Sequence, residues 1–244
     1  ASLSDGGYVV AWESYDQDGS MGGIYAQRFD KNSNLVGSEF QINTYTSGYQ
    51  QEPIITALND GGFVVSWESH GQESSYLGIF SQQYNANGNA VNSEIQVNNY
   101  THADQQNPSI SSLLDGGYII AWESWAEDGI FLQKFDFNGN KIDGQSQVNM
   151  STVYGGNNPS IAPLTDGGFL ISWDDWSLDS DLDGIYAQRY DSEGNALGTA
   201  TLNAYPTNIT LDNLSVAENS AGSHVANITG TDPDGDALTY TIVG

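Results

Sequence analysis

The segment DGGFVVSWES, residues 60–69, occurs four times in the chain with small changes. Its Asp-Gly-Gly start recurs at Asp5, Asp115 and Asp166, so that successive copies lie 55, 55 and 51 residues apart. In each copy, glycines suited to a tight turn precede an apolar stretch with strand-forming residues that ends in Trp and an acid. A repeat of this length indicates a repetitive architecture, and the rest of the repeat decides which one.

The full repeat contains four short strands. A second strand such as GIYAQRFD (23–30) follows the Trp strand, and a turn then leads to a third strand such as VGSEFQIN (36–43). A strand opened by proline, as in EPIITAL (52–58), precedes the later Asp-Gly-Gly turns. Turns rich in Gly, Asn and Asp are typical of antiparallel hairpins, and no window has a useful helical period. Four strands in about 40–55 residues are typical of a β-propeller blade.

The sequence therefore predicts an all-β fold in which residues 1–203 form a β-propeller of four-stranded blades. Because one blade cannot bury both faces of its sheet, the blades must stack on each other. The first blade lacks its proline-led strand, so the ring either closes imperfectly or belongs to a larger ring. Residues 204–244 lack the blade markers and predict a truncated sandwich of the cadherin-like or immunoglobulin-like type. The approximate blade boundaries are 1–47, 51–100, 106–150 and 157–203.

The charge balance limits the classes of partner. Five basic residues face 31 acidic ones, which gives a net charge of −26. Nucleic acids and anionic membranes attract basic patches, so this balance predicts neither partner. The chain has no cysteine, and its apolar runs are too short to cross a bilayer, which predicts no membrane insertion. The balance suits either a protein that works outside the cell among divalent cations or one that self-repulsion keeps soluble.

Two stretches carry a resemblance to known families. The unit DGGFVVSWES followed by GIYAQRYD (184–191 in the last copy) resembles repeats of very large bacterial surface and secreted proteins of the RTX-adhesin type. The tail, with VAEN (216–219) and TDPDGDALTY (231–240), resembles the start of a bacterial cadherin-like domain. The resemblance implies a secreted or cell-surface location. It also implies an inter-domain calcium site at the tail, where Asp232, Asp234 and Glu218 match the ligand motifs of the family. The same DPDGD stretch offers Asp236 as a further candidate.

A second group of calcium candidates lies in the loops between the Trp strand and the GIY strand. The loop of the last repeat contains Asp179, Asp181 and Asp183 at alternate positions before a glycine. Calcium takes six to eight oxygen ligands, and alternate aspartates on a turning backbone can supply several. The twelfth position holds Tyr190 rather than glutamate, so an EF-hand is rejected. A hairpin calcium loop, similar to those of integrin-type propellers, and a solvated acidic loop both stay open. Asp16 and Asp18 form a weaker candidate in the first repeat.

Aromatic and acidic residues supply the remaining candidates. The Trp residues that end the repeated strand predict core packing, since a ligand site is rarely copied into every blade. Trp125 and Trp176 lie outside the repeated positions, in the variable loops, where they either bind a sugar or fold back onto their own blade. The acid that follows each core Trp, such as Glu13, is expected to pair across strands with a basic residue such as Arg28.

The sequence favours a non-enzymatic, calcium-binding, structural or adhesive segment of a large secreted or cell-surface bacterial protein. Such a segment would serve as an adhesin or as part of an extracellular filament, with Ca²⁺ as its ion. Its partners would be other copies of itself or cell-surface glycans. No nucleophile or histidine pair suggests catalysis. The alternative is a carbohydrate-binding propeller module of an extracellular protein or enzyme. A propeller glycosidase or lyase would instead require acids that converge on the central channel.

Overall fold

The structure is a computed structural model, and every regular element in the described part of the chain is a strand. Among the described residues no helix is long and apolar enough to cross a membrane. The chain divides into two compact units, Ala1–Thr201 and Leu202–Gly244. The described residues are 1–73, 76–149, 156–175, 184–202, 207–211 and 228–231.

The first unit contains four antiparallel sheets that follow one another along the chain, here called blades one to four. Blade one contains β1 (Tyr8–Tyr15), β2 (Gly22–Phe29) and β3 (Leu35–Gln41). Blade two contains β4 (Gln50–Ala57), β5 (Phe63–His70), β6 (Leu77–Tyr84) and β7 (Ala90–Gln96). Blade three contains β8 (Gln105–Ser112), β9 (Tyr118–Ser124), β10 (Gly129–Phe135) and β11 (Lys141–Gln147). Blade four contains β12 (Asn157–Pro163), β13 (Phe169–Asp175), β14 (Gly184–Tyr190) and β15 (Ala196–Leu202).

This arrangement confirms the predicted all-β propeller of four-stranded blades for blades two to four. Blade one is three-stranded, as its missing proline-led strand predicts. The first residues partly replace that strand, because Ser2 forms an isolated antiparallel bridge with Tyr8, and the Val9 N–H donates to the Ala1 carbonyl at 3.0 Å. The strand β8 contacts both β4 and β12, so these three first strands form the inner edge of the blades.

The Asp-Gly-Gly turns have one geometry in all four blades. In blade two, the Asp60 carboxylate accepts a 2.8 Å hydrogen bond from the N–H of Gly62. Gly61 has a φ of +89°, which favours glycine. Gly62 is required for a different reason, since a Cβ atom there would lie closer than 3.0 Å to the backbone oxygen of Tyr84. The tight turn that these glycines predict is therefore present in all four blades.

The core lies between successive blades. Val9 and Ile24 of blade one pack in one cluster with Val65 and Trp67 of blade two. Blades two and three meet in the same way, through the equivalent residues on each side. Trp67, Trp122 and Trp173 are almost fully buried, which confirms the core role predicted for the repeated tryptophans. Trp12 of blade one is only half-buried.

A polar contact also joins successive blades, and it corrects the expected cross-strand ion pair. Arg28 lies opposite Val9 in the β1–β2 register, whereas Glu13 lies opposite Ile24, so Arg28 and Glu13 are not cross-strand partners. Instead, the Arg28 guanidinium donates to the backbone oxygen of Ala86, in the β6–β7 turn of the next blade, at 2.7 Å.

The same contact recurs at the two following blades. Gln83 donates to the Phe137 oxygen at 3.0 Å, and the Lys134 ammonium donates to the Ser192 oxygen at 2.6 Å. We call these three contacts the inter-blade bonds. Lys134 also pairs with Asp115 of its own Asp-Gly-Gly turn at 3.0 Å. Arg28 and Lys134 therefore join neighbouring blades rather than neutralise the acids that follow the core tryptophans.

In the second unit, β16 (Thr207–Leu211) and β17 (Ile228–Thr231) pair as a two-stranded antiparallel sheet. This described part of the unit is a hairpin-like pair and does not show a sandwich. The rest of the predicted cadherin-like segment, including Glu218, Asp232, Asp234 and Asp236, lies outside the described residues.

Candidate functional site

The inner strands of blades two to four surround a cavity of about 270 Å³. Each strand contributes an X-Pro pair at a register shift, where the pairing with the neighbouring strand is interrupted. Proline has no N–H to donate, so the interruption falls where the chain cannot continue the ladder. The pairs that line the cavity are Glu52-Pro53, Asn107-Pro108 and Asn158-Pro159.

The residue before each proline is in the left-handed region. The φ angles are +50° for Glu52, +52° for Asn107 and +50° for Asn158. Asn adopts this region more readily than most residues, whereas Glu is strained there. Non-glycine residues held in this region often mark a functional site, because the surrounding structure must stabilise them. The bulges therefore give the axis of the propeller a polar lining of one carboxylate and two amides.

In blades two to four, the acid after the core tryptophan reaches this lining. The Asn158 amide donates to Asp174 at 3.0 Å. Asn107 joins two of the acids, because its side-chain amide donates to Glu123 at 2.9 Å and its backbone N–H donates to Glu68 at 2.7 Å. Both Glu68 and Glu123 are buried. The acids thus converge on the central cavity from behind its lining.

Burial raises the pKa of Glu68 above its ordinary value. The nearby carboxylates of Glu52 and Glu123 act in the same direction. The hydrogen bonds from Asn107 and from the Gln51 amide, the latter at 2.9 Å, oppose the rise by stabilising the charged form. The cavity is therefore backed by a carboxyl group that takes up a proton more readily than a solvated glutamate.

An exposed aromatic side chain continues this network to the surface. The Trp125 side chain is 60% exposed, yet its indole N–H donates to Glu123 at 2.5 Å. Its backbone N–H donates to the Asp104 oxygen at 3.0 Å. Trp125, Glu123, Asn107 and Glu68 thus form one hydrogen-bonded chain from the rim to the cavity. Of the two alternatives for Trp125, the exposed ring favours a ligand surface over packing against its own blade.

The position of Trp125 is repeated, which corrects the interpretation that Trp125 and Trp176 lie outside the repeat. It is the third residue after the core tryptophan, and the equivalent residues are Tyr15, His70 and Trp176. Tyr15 is also exposed, and its hydrogen bond to Glu13 raises the pKa of the phenol. Aligning the four copies by their core tryptophan would have shown this aromatic position from sequence alone. Trp176 itself lies outside the described residues.

Of the calcium candidates in the loops, Asp16 and Asp18 belong to the described residues. Asp16 has a φ of +58°, and the Asp18 carboxylate accepts hydrogen bonds from the Ser20 N–H at 3.0 Å and from the Gln41 amide at 3.1 Å. Within the described ranges, no group of three or more His, Cys, Asp or Glu side chains is placed to hold a metal ion. Asp179, Asp181 and Asp183 lie outside those ranges.

Comparison with known proteins gives structural likenesses only. No family model and no curated protein matches the chain. A solved xylan β-1,4-xylosidase from Bacillus halodurans is 14% identical with a TM-score of 0.49, over 84% of this chain and 41% of the xylosidase. An endo-arabinase from Bacteroides thetaiotaomicron is 12% identical with a TM-score of 0.41, over 95% and 94%. A thermostable family-43 glycoside hydrolase is 10% identical with a TM-score of 0.42, over 80% and 74%.

These comparisons correct two predictions. The interpretation as a non-enzymatic, calcium-binding adhesin or filament segment is wrong, because the solved structures named above are carbohydrate-active enzymes and not adhesins. The prediction that the chain is not an enzyme loses its support as well, because all three of these structures are enzymes. At these identities and scores the likeness concerns the fold alone.

Proposed function

We propose that the propeller is a carbohydrate-binding module of an extracellular protein or enzyme, with its ligand over the central cavity and against Trp125. The observation that carries the proposal is the hydrogen bond between Trp125 and Glu123. It holds an exposed indole ring in one orientation at the end of a network that reaches the cavity. A ring that is 60% exposed and fixed in this way leaves most of its surface open to a ligand.

The chemistry of the site suits a sugar. The apolar C–H face of a pyranose ring packs on a flat indole, while hydroxyl groups need donors and acceptors at fixed positions. Asn107 and Asn158 supply both kinds of group, and Glu52 accepts. Because the indole and the amides are already held by hydrogen bonds, binding would order few side chains. The carboxylates disfavour uronic acids through charge repulsion and favour neutral or amino sugars.

The test is a glycan array with the intact chain, followed by calorimetric titration of the glycans that bind. Trp125→Ala should weaken binding about tenfold or more, as is common when a central aromatic anchor is removed. Phe137→Ala is the matched control, because Phe137 is equally exposed in a hairpin turn outside this network. Equal affinity of the Trp125 variant and the parent would reject the proposal.

Glycoside hydrolysis is the second candidate. It is favoured by the acids at the axis, since the exposed Glu52 lines the cavity and the pKa of the neighbouring Glu68 is raised. Glycoside hydrolases use two carboxyl groups in different environments. Incubation with each bound polysaccharide, with release of reducing ends as the readout, tests this candidate. Turnover that Glu52→Gln abolishes would establish hydrolysis, whereas binding without turnover would leave a binding module.

Calcium, the extracellular location and the cadherin-like tail stay predictions. For calcium, Asp179, Asp181 and Asp183 are the candidates, and the Asp-x-Asp-x-Asp-Gly spacing supports them. The unfolding midpoint in EGTA and in millimolar calcium tests this directly. Calcium at a free concentration 100 times the dissociation constant of the site stabilises the fold by about 2.7 kcal/mol. Asp181→Asn should remove the shift of the midpoint. An unchanged midpoint would leave an acidic hairpin.

A further inference from the structure

Each blade uses opposite faces for its two neighbours, and the same positions recur at every junction. One face, the forward face, contains Val9 and Ile24 in blade one and contacts the next blade. The other face, the backward face, contains Val65 and Trp67 in blade two and contacts the previous blade. The chain therefore contains three copies of one forward-to-backward contact between its four blades.

Among the described residues, no blade lies against the forward face of blade four. Its residue Ile185 is 59% exposed, whereas the equivalent Ile24, Ile79 and Ile130 are fully buried. In β13 and β14 the forward-facing residues are half-buried or exposed and the others are buried, while nearly all residues of β9 and β10 are buried. This alternation of buried and exposed residues shows that one face of the blade-four sheet is uncovered, although its strands match those of the other blades.

The backward face of blade one is uncovered as well. Val10 is 43% exposed, whereas the equivalent Val65, Ile120 and Ile171 are fully buried. Trp12 on the same face is half-buried, in contrast to the tryptophans of the other blades. The two ends of the blade series are therefore complementary, since one presents a forward face and the other a backward face.

The polar part of the junction is also incomplete at these ends. Arg189 occupies the position of Arg28, Gln83 and Lys134, whose side chains make the inter-blade bonds. Arg189 is half-exposed and contacts only Asp166 of its own blade among the described residues. The carbonyl that would accept its hydrogen bond is that of Lys31, which is equivalent to Ala86, Phe137 and Ser192 in the other turns.

We propose that a second copy of this chain docks head to tail, with the forward face of blade four against the backward face of blade one. This docking would continue three existing junctions, in which the same residue types already form a buried interface. Such a contact is heterologous, so copies either close into a ring or extend into a chain of molecules. Because both partners are strongly acidic and the interface is apolar, added salt should strengthen the association.

The test is the mass of the full 244-residue chain by light scattering after size-exclusion chromatography, from roughly 1 to 100 μM, at low and high salt. We expect a concentration-dependent species of two or more chains that increases with salt. Ile185→Asp and Val10→Asp should each reduce the association about tenfold or more. Leu114→Asp is the control, because Leu114 is equally exposed in an Asp-Gly-Gly turn where blade two has Asn59.

Mixing the two variants distinguishes head-to-tail docking from other dimers. The Ile185→Asp chain keeps an intact backward face, and the Val10→Asp chain keeps an intact forward face. Their mixture should therefore regain a dimer that neither variant forms alone, while circular dichroism confirms that both are folded. A chain that stays monomeric at every concentration and salt level overturns the proposal. Association that survives both substitutions overturns it as well.

Discussion

Glu68 of blade two accepts a 2.7 Å hydrogen bond from the backbone N–H of Asn107, in the inner strand of blade three. That N–H lies at the bulge and is free to donate to a side chain. One buried carboxylate thereby links two blades and fixes an amide that lines the central cavity. Asn107 therefore belongs both to the junction between blades two and three and to the candidate ligand site.

This relationship predicts a specific pH dependence. The folded pKa of Glu68 is raised, so between the unfolded and folded pKa values the folded chain binds more protons, and stability falls as the pH rises. Glu68→Gln lacks this ionisation. The unfolding free energy of the parent minus that of the variant should therefore decrease from about pH 4 to pH 7. Urea denaturation at several pH values measures it, and parallel curves would contradict the prediction.

The two glycine positions of each Asp-Gly-Gly turn require glycine for different reasons. Gly62→Ala places a Cβ atom against the Tyr84 carbonyl, so it should destabilise the fold by about 1–3 kcal/mol. Gly144→Ala is the control, because a Cβ atom there meets nothing within 4 Å. We expect its effect to stay within about 0.5 kcal/mol. Chemical denaturation of both variants is the measurement, and equal effects would show that close approach is not the constraint.

The inter-blade bonds allow a matched comparison of two basic residues. Lys134 is largely buried between the Ser192 oxygen and Asp115, so Lys134→Met should lower the unfolding free energy by about 1.5–3 kcal/mol. Arg189 pairs only with Asp166 on an exposed surface, and Arg189→Met should lose about 0–1 kcal/mol. Denaturation of dilute protein, which keeps copies apart, provides both numbers. A larger loss for Arg189→Met than for Lys134→Met would contradict a stabilising role of the inter-blade bonds.

The backbone of Glu52 is strained, and we expect this strain to lower the stability of the fold. Its φ of +50° is unfavourable for Glu, while the equivalent residues are Asn107 and Asn158. Glu52→Asn should therefore stabilise the chain by about 1 kcal/mol. Glu52→Gln removes the same charge without relieving the backbone, so it should leave the stability near that of the parent. Thermal unfolding of the two variants separates backbone strain from charge repulsion, and equal stabilisation would favour charge repulsion.

The blades were predictable because their signals are local and repeated. Asp5 and its equivalents fix the turns, and the repeated tryptophans fix the buried face, so four concordant copies indicate one architecture. The sites were harder to predict. Whether Glu13 meets Arg28 depends on the register, which no residue type specifies, and the register places Arg28 opposite Val9 instead.

The cavity lining was missed for a related reason. A proline in an inner strand predicts an interrupted ladder, but the positive φ of Asn107 and the approach of Glu68 from the preceding blade depend on how the sheets stack. The aromatic position of Trp125 could have been found, because the repeat itself contains it. The variable length of the following loops concealed the alignment.

The inner prolines have a consequence for how the chain avoids misassembly. The strands β4, β8 and β12 are sheet edges, and an exposed edge can template the addition of a foreign strand, as in amyloid. Pro53, Pro108 and Pro159 each remove one donor from such an edge, and the bulge beside each twists the backbone out of line. The chain contains many short, apolar and nearly identical strands. The prolines thereby hinder its similar edge strands from pairing wrongly with one another while the chain folds.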